Sequence, residues 1–331
     1  MTVLTLAVTS SDPPAKAVGS WPRNACVDAL RNDPLDCVLH VVVVNSNPCG
    51  FARRNELALQ FLLSMKEAQN VEVYVVELAH EGQTYVLTEA NNPRHLRLRG
   101  GAPLWHKENM INLGVRALLP PDWKAFAWVD ADIEFENPRW ALDALRVLNG
   151  SADIVQMWSH AVDMNAAGHT MKVFESFSLQ HVRAAPFVST QWHPGFAWAM
   201  TRKAFEQTNG LYEVSILGSG DMNMAMSLRG QALDTLNYEA SDDYKASLAS
   251  WQSKAQGLRL AYVPGVIRHH FHGNKRNRQY DTRWQILIRH GYQPSAHIRR
   301  GAQGVLEPTE QCPPSILSDI VDYFKARNED E

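Results

Sequence analysis

The sequence predicts an α/β fold with a Rossmann-like, mainly parallel central sheet flanked by helices. Two apolar runs rich in β-branched residues, 37–44 and 71–77, are typical of buried strands. Between them, residues 56–69 show the apolar spacing of a helix. A strand, a helix and a second strand in this order indicate two parallel strands joined by a crossover helix.

The third observation is the run 126–132, an apolar stretch that ends on Asp130 and Asp132 with one alanine between them. We expect a buried strand whose carboxyl end carries both acids. The same patterns, ended by Pro or Asn-Gly breakers, predict the remaining elements. These are helices near 25–31 and at 107–118, 139–148, 202–208, 222–228 and 314–327, and strands at 152–158, 195–200 and 258–266.

The composition of the chain excludes some classes of protein. The chain has 331 residues, 45% of them hydrophobic, and a formal net charge of −3, which argues against a general nucleic-acid binder. The first residues lack the basic lead of a signal peptide, and the longest apolar run, 38–44, is too short to span a membrane. The four cysteines have no CxxC spacing and are expected to be reduced thiols. We therefore expect a cytoplasmic protein without a membrane span; the oligomeric state is left open.

The pair Asp130 and Asp132 predicts a metal site. Two carboxylates about 4 Å apart repel each other by roughly 4 kcal/mol at an effective dielectric near 20. A hard cation such as Mg²⁺ or Mn²⁺ cancels that repulsion. Ligands of open α/β sheets also bind at the carboxyl ends of strands. The alternative is an ordinary Asx-rich turn after a strand.

The segment 267–278 holds three histidines within four positions, followed by cations. Alternation along an extended chain would place His270 and His272 on one side, where an imidazole could complete the metal shell. Lys275 and Arg276 could then bind phosphates. The alternative is a solvated basic loop.

Several further residues are candidates for nucleotide binding. The loop after the first strand supplies Asn45, Asn47, Arg53 and Arg54, and Lys107 begins a helix that could face a phosphate. An ordinary charged first turn is the alternative for Lys107. Glu77 and Asn112 complete this group of nucleotide-binding candidates.

Asp221 follows Gly218-Ser219-Gly220 and precedes a helix. Its pattern fits two roles equally, a helix N-cap and a general base on a mobile loop.

Together these segments resemble a glycosyltransferase of the GT-A fold, and their order is similar to that in the β-1,4-galactosyltransferase and polypeptide N-acetylgalactosaminyltransferase families. Asp130-Ala131-Asp132 looks like the DxD motif. The other segments that carry the resemblance are 105–114, 193–199 with 209–212, 218–221, and 266–273. The chain departs from the galactosyltransferase pattern at 221–223, where only Asp221 remains acidic.

The resemblance implies metal-dependent transfer of a sugar from a UDP-sugar to a hydroxyl on a glycan or protein. It implies Mn²⁺ or Mg²⁺ bound by Asp132 and a late histidine, with Asp130 on the metal or the ribose. One alignment selects His269 and another selects His270; we favour His270, with His272 next. Asp221 as the base would make the enzyme inverting. The alternatives are a retaining GT-A enzyme, a nucleotidyltransferase, and a non-catalytic carbohydrate-binding protein.

The resemblance also suggests a division of the chain. Residues 1–36 would be an extension packed on the domain, and 37–285 the catalytic domain, with a nucleotide-binding half (37–150) and an acceptor-binding half (151–285). Residues 286–331 would form a helical C-terminal segment. For the acceptor we name Trp192, Trp198 and Gly220. Core packing is the alternative for these tryptophans and for Trp158 and Trp251; His160 and Glu175 are weaker candidates.

Overall fold

The computed structural model describes residues 25–188 and 191–331. Residues 1–24 of the predicted N-terminal extension lie outside the described residues. The strands are β1 (Leu39–Ser46), β2 (Val71–Ala79), β3 (His95–Arg99), β4 (Ala125–Val129), β5 (Ile133–Phe135), β6 (Ile154–Gln156), β7 (His160–Met164), β8 (Thr170–Glu175), β9 (Ala197–Thr201), β10 (Leu260–Tyr262), β11 (Val266–His269), β12 (Ile298–Arg300) and β13 (Leu306–Pro308).

Helices alternate with these strands in the described part of the chain. They are α1 (Ala25–Ala29), α2 (Ala52–Met65), α3 (Lys107–Leu118), α4 (Trp140–Leu148), α5 (Phe177–Val182), α6 (Arg202–Thr208), α7 (Gly220–Leu228), α8 (Asp242–Ala255), α9 (Gln285–Arg289), α10 (Pro294–His297) and α11 (Pro314–Ala326), with 3₁₀ turns at Ala232–Thr235 and Lys275–Arg278.

The central sheet has seven strands in the order β10-β6-β9-β4-β1-β2-β3. The strands β4, β1, β2 and β3 are mutually parallel, and β6 pairs with β10 in parallel. Only β9 of this sheet runs antiparallel to its neighbours β4 and β6. The predicted α/β fold with a mainly parallel sheet flanked by helices is confirmed.

Both faces of the central sheet are buried. Val42 faces one apolar cluster with α3, whereas Val41 and Val43 face a second cluster with α4, since alternate residues of a strand point to opposite faces. Helix α3 packs closely on the sheet at Gly114, where an added Cβ would lie 2.7 Å from Val76 and 2.9 Å from Val42. This packing fixes α3 against strands β1 and β2.

A second, four-stranded sheet has the order β5-β11-β7-β8. In it β11 lies between β5, to which it is antiparallel, and β7, to which it is parallel. The late segment 266–269 is therefore brought beside the residues that follow the end of β4.

The structure refines several predicted elements. The strand predicted at 258–266 is two strands, β10 and β11, separated by the turn at Pro264-Gly265. Helix α2 begins at Ala52, four residues before the predicted start, because its first turn is polar and carries no apolar period. The sequence analysis missed α8 and the β7–β8 hairpin. In the described part of the chain, no helix is long and apolar enough to cross a membrane.

Candidate functional site

A cavity opens where strands β1 and β4 end at their carboxyl edges. It encloses about 160 Å³. Its wall combines the loop after β1, the start of α2, the residues before α3 and the acidic run after β4. The lining also includes His272, Arg278 and the end of α11, with Phe324, Arg327 and Glu329.

Three side chains from distant parts of the chain meet beside this cavity. One ligand atom each from Asp132, His269 and His272 lies within 4.8 Å of the other two. Asp132 Oδ2 lies 2.8 Å from Nε2 of His272 and 3.8 Å from Nε2 of His269. The other carboxylate oxygen, Oδ1, is buried and has no hydrogen-bond partner among the described residues. One carboxylate, two imidazoles and an unsatisfied buried oxygen fit a divalent cation such as Mn²⁺.

Strand alternation explains which histidines are in this cluster. Within β11, Ile267 and His269 are buried, and Arg268 lies on the other side of the strand. His270 follows the strand end on that outer side, with its Nε2 3.7 Å from Glu134. His272 returns to the cluster only because the chain turns after the strand. The structure thus places His269 and His272 beside Asp132, whereas His270, the histidine preferred from the sequence, lies outside this cluster.

Asp163 orients His269 and was missed by the sequence analysis. It is buried, and its Oδ1 lies 2.7 Å from Nδ1 of His269. The parallel pairing of β11 with β7 sets His269 directly opposite Asp163. The ammonium of Lys275 contacts the other oxygen of Asp163. Lys275 thus acts on the cluster through Asp163, and the cavity lining does not include it.

Positively charged neighbours determine the ionisation of Asp132 in this cluster. Burial alone would raise the pKa of Asp132, but His272, His269 and Arg278 outweigh burial and hold that pKa well below its ordinary range. Asp132 is therefore held as a carboxylate. Metal binding requires this carboxylate to be ionised.

Asp130 is held by Lys107, which begins α3. The ammonium of Lys107 contacts Oδ1 of Asp130, and both residues line the cavity. Burial raises the pKa of Asp130. Burial alone would lower the pKa of Lys107, but Asp130, Asp221 and Glu108 outweigh it and raise that pKa. The predicted contact of Lys107 with this site is thus supported by its position.

The backbone of Phe196 also positions Asp130. The carbonyl of Phe196 accepts a hydrogen bond of 2.8 Å from the Asp130 N–H. Phe196 has a φ of +82°, a conformation that is strained for an aromatic residue. Its ring lies 4.8 Å from the ring of His269 and 4.5 Å from that of His193. Strain of this kind clusters at functional sites.

Asp221 lies in the first turn of α7. The N-cap of this helix is Ser219, with a φ of +62°, so the N-cap alternative for Asp221 is wrong. An added Cβ at Gly195 would lie 3.2 Å from Asp221 Oδ2 and 2.8 Å from the ring of His193. Burial lowers the pKa of His193 to about 3, which keeps this neighbouring imidazole neutral.

Glu108 is a buried acid that the sequence analysis did not select. Its side chain lies against Gly220, where an added Cβ would approach Oε1 to 2.5 Å. Burial raises the pKa of Glu108 to about 7. Gly220 is therefore needed to make room for Glu108. This contact explains Gly220 without the acceptor-binding role predicted for it.

Some predicted nucleotide-binding residues line the cavity and others do not. Asn45, Asn47 and Arg54 line it, although both polar ends of the Asn47 amide already bond the backbone of Phe51. Arg53 is turned away, and its Nε donates to the carbonyl of Phe271.

Three other nucleotide-binding predictions are corrected. The carboxylate of Glu77 accepts hydrogen bonds from the backbone of 86–88 and from the Thr88 hydroxyl, so it anchors a loop. The amide of Asn112 bonds the backbone of Leu211 on both sides and is buried. Arg276 is exposed.

Arg278 takes the place predicted for Arg276. In a 3₁₀ turn, residues three apart share a side. Lys275 and Arg278 lie on the same side of this turn, where Lys275 contacts Asp163 and Arg278 lines the cavity. Nη2 of Arg278 lies 2.6 Å from Nε2 of His272.

The tryptophans proposed for acceptor stacking belong to the core. Trp192 is 1% exposed and packs edge-on against Phe177 and Phe187. Trp198 is 3% exposed, and its Nε1 donates to the Pro194 carbonyl. Neither offers a free face to a sugar ring, so these two predictions were wrong. Trp158 and Trp251 are likewise buried, and His160 pairs with Glu175 at 3.4 Å.

No protein-family model and no curated protein sequence matches this chain. Among solved structures, it is similar to a mutant of the Drosophila β-1,4-galactosyltransferase 7 in complex with manganese, UDP-Gal and xylobiose, at 12% identity and a TM-score of 0.39, over 86% of this chain and 98% of that one. It is also similar to mannosyl-3-phosphoglycerate synthase from Rubrobacter xylanophilus, at 13% identity and a TM-score of 0.37, over 87% and 94%.

Proposed function

We propose that this protein transfers a sugar from a UDP-sugar to a hydroxyl acceptor and binds Mn²⁺ or Mg²⁺ for this reaction. The observation that carries the proposal is the convergence of Asp132, His269 and His272 beside a cavity at the carboxyl edge of the sheet. Leaving a buried polar atom such as Asp132 Oδ1 unpaired costs about 1–3 kcal/mol. A cation held by these three side chains would remove that cost.

The donor would occupy the cavity. When bound, the ion would neutralise the negative charge that grows on the departing diphosphate. Arg54 and Arg278 line the same cavity and would add positive charge to it. Asp130, held in place by Lys107, would accept a hydrogen bond from the ribose. These roles assign the carboxyl ends of β1 and β4 to the nucleotide.

Asp221 would act as the general base. It would accept the proton of the acceptor hydroxyl while the acceptor oxygen bonds to the anomeric carbon, and the bond from that carbon to the diphosphate oxygen would break. The attack comes from the face opposite the diphosphate, so the anomeric configuration inverts. Asp130 and then Asp221 raise the pKa of Lys107 against the effect of burial, so the charge of Asp221 acts on a residue that lines the proposed donor cavity.

A donor screen tests this function. The protein is incubated with Mn²⁺ and each common UDP- or GDP-sugar, and release of the nucleoside diphosphate is measured. We expect slow hydrolysis of a UDP-sugar that stops with EDTA and in the Asp132→Asn variant. A folded protein that neither binds nor hydrolyses any donor would contradict the proposal. Once an acceptor is found, retention of the anomeric configuration in the product would contradict the role of Asp221.

A further inference from the structure

The C-terminal tail places a carboxylate among the arginines of the cavity. Glu329, 2% exposed, accepts two hydrogen bonds from Arg54, at 2.9 Å from Nε and 2.8 Å from Nη2. Nη2 of Arg327 lies 2.6 Å from the same carboxylate, and Nδ1 of His272 lies 3.5 Å from it. Glu329 therefore occupies a site built for an anion, next to the proposed metal ligands.

The cations of this site come from three separate elements. Arg54 lies on α2, Arg278 ends the 3₁₀ turn Lys275–Arg278, and Arg327 caps the end of α11. All three line the cavity. They face two carboxylates, those of Asp132 and Glu329. Without Glu329, three guanidinium groups would share one carboxylate, an arrangement that favours a multivalent anion.

The cavity is small while the tail is in place. Its volume of about 160 Å³ is below the roughly 300–1,000 Å³ of typical small-molecule sites. Glu329 forms part of its wall. A nucleotide-sugar would therefore need the tail to move.

The tail is attached in a way that permits such a movement. Helix α11 ends at Ala326, so Arg327 stays with the helix while 328–331 extend beyond it. Arg327 also lies over the ring of Trp105, 5.4 Å from its centroid. Beyond Glu329, the exposed Asp330 accepts hydrogen bonds from the backbone N–H groups of Ala52 and Arg53. The contacts of Asp330 with the first turn of α2 are exposed to solvent.

We propose that Arg54, Arg278 and Arg327 bind the diphosphate of the donor, and that Glu329 occupies their site until the nucleotide displaces the C-terminal tail. This inference rests on the proposed function for the identity of the donor. The anion site itself does not depend on it. The tail would keep the arginines paired when no donor is present.

The test is calorimetric titration of the full-length protein with inorganic pyrophosphate in EDTA, which reports on the arginines without a metal. Glu329→Gln keeps the shape of the side chain and removes its charge. We expect it to bind pyrophosphate at least about tenfold more tightly than the parent protein, because a competing ion pair is lost. Glu310→Gln, the same change at an exposed position before α11, is the control and should leave the affinity unchanged.

A second variant covers the case in which Glu329→Gln does not fold. Asp330→Ala removes the tail anchor and leaves the arginines untouched, and we expect about fivefold tighter pyrophosphate binding. Arg327→Gln should weaken binding in the Glu329→Gln background. Equal affinity in the parent, Glu329→Gln and Asp330→Ala proteins would overturn the inference, even if the donor screen succeeds. Tighter pyrophosphate binding in a protein that hydrolyses no donor would support the anion site and contradict the proposed function.

Discussion

Nδ1 of His269 lies 2.7 Å from Oδ1 of Asp163, and both side chains are buried. A carboxylate on Nδ1 fixes the tautomer that carries its proton there. Nε2 of His269, 3.8 Å from Asp132 and 3.3 Å from Nε2 of His272, then presents its lone pair to the proposed metal site. Asp163 lies on β7, after the DxD-like run in the sequence, and it contacts His269 because β7 pairs with β11. Asp163 therefore acts on the proposed metal through His269.

Asp163→Asn should weaken Mn²⁺ binding about 10- to 100-fold, because the neutral amide holds the imidazole less firmly and lowers its basicity. Electron paramagnetic resonance of free Mn²⁺ measures the affinity. Asp153→Asn, which removes a carboxylate paired with Arg259 at the start of β6, is the control. Unchanged affinity in folded Asp163→Asn protein would show that His269 needs no such support.

The histidines of the late segment should differ sharply in their effect on metal binding. His269→Gln and His272→Gln should each abolish tight Mn²⁺ binding, since each removes one of three ligands. His270→Gln should leave it nearly unchanged, because His270 faces Glu134 on the outer side of the strand. The same titration checks all three variants. Loss of binding in His270→Gln alone would restore the assignment made from the sequence.

Asp132→Asn should remove the dependence of UDP binding on metal. The variant keeps the shape of the side chain but loses the charge that His269, His272 and an added cation share. Calorimetry with UDP, in Mn²⁺ and then in EDTA, measures the effect; the parent protein should bind more tightly with Mn²⁺ and the variant equally in both. A variant that keeps the full gain from Mn²⁺ would place the ion elsewhere.

Asp221→Asn should lower turnover about 10²- to 10⁴-fold, the usual effect of losing a positioned general base. UDP affinity should stay nearly constant, because Asp221 acts on the acceptor in the proposed mechanism and does not line the donor cavity. Asp242→Asn, an exposed acid in the first turn of α8, is a matched control. A full rate in Asp221→Asn would favour a retaining reaction or another base.

Local patterns were enough to predict the part of the fold that carries the proposed donor site. The apolar runs of β1, β2 and β4 and the periodicity of α3 are properties of short stretches of sequence. Asp130 and Asp132 follow the end of β4, and Lys107 begins α3. Each of these residues and elements could be predicted from its neighbours in the sequence alone.

The other site residues depend on how distant segments pair. Alternation separates His269 from His270, but only the end of β11 decides which of them faces inward. Asp163 is identified by a strand register, and Glu329 by the contact of the residues after α11 with Arg54 on α2. Two tryptophans were misassigned because a ring suited to stacking on sugar is also suited to the core.

Glu108→Gln should change the pH dependence of stability. The pKa of Glu108 is raised by burial from 4.5 to about 7 in the folded protein, so the folded state holds its proton more tightly than the unfolded state does. Its contribution to stability is therefore complete below the unfolded pKa, falls as pH rises from there, and is lost above about pH 7. A difference of this size corresponds to about 3 kcal/mol. Glutamine has no proton to lose. The free energy of unfolding of the variant, relative to that of the parent protein, should therefore rise by up to that amount between acidic and alkaline pH.

Urea unfolding of both proteins at pH 5 and pH 8 measures this difference. At pH 5, Glu108 is protonated in the folded state, and the two proteins should have nearly equal free energies of unfolding. At pH 8 the variant should be the more stable one, because the parent protein must bury a charged carboxylate against Gly220. The exposed Glu310→Gln variant should show no such pH-dependent difference from the parent protein. If Glu108→Gln is destabilising at both pH values by the same amount, Glu108 is ionised throughout, and Lys107 is its permanent partner.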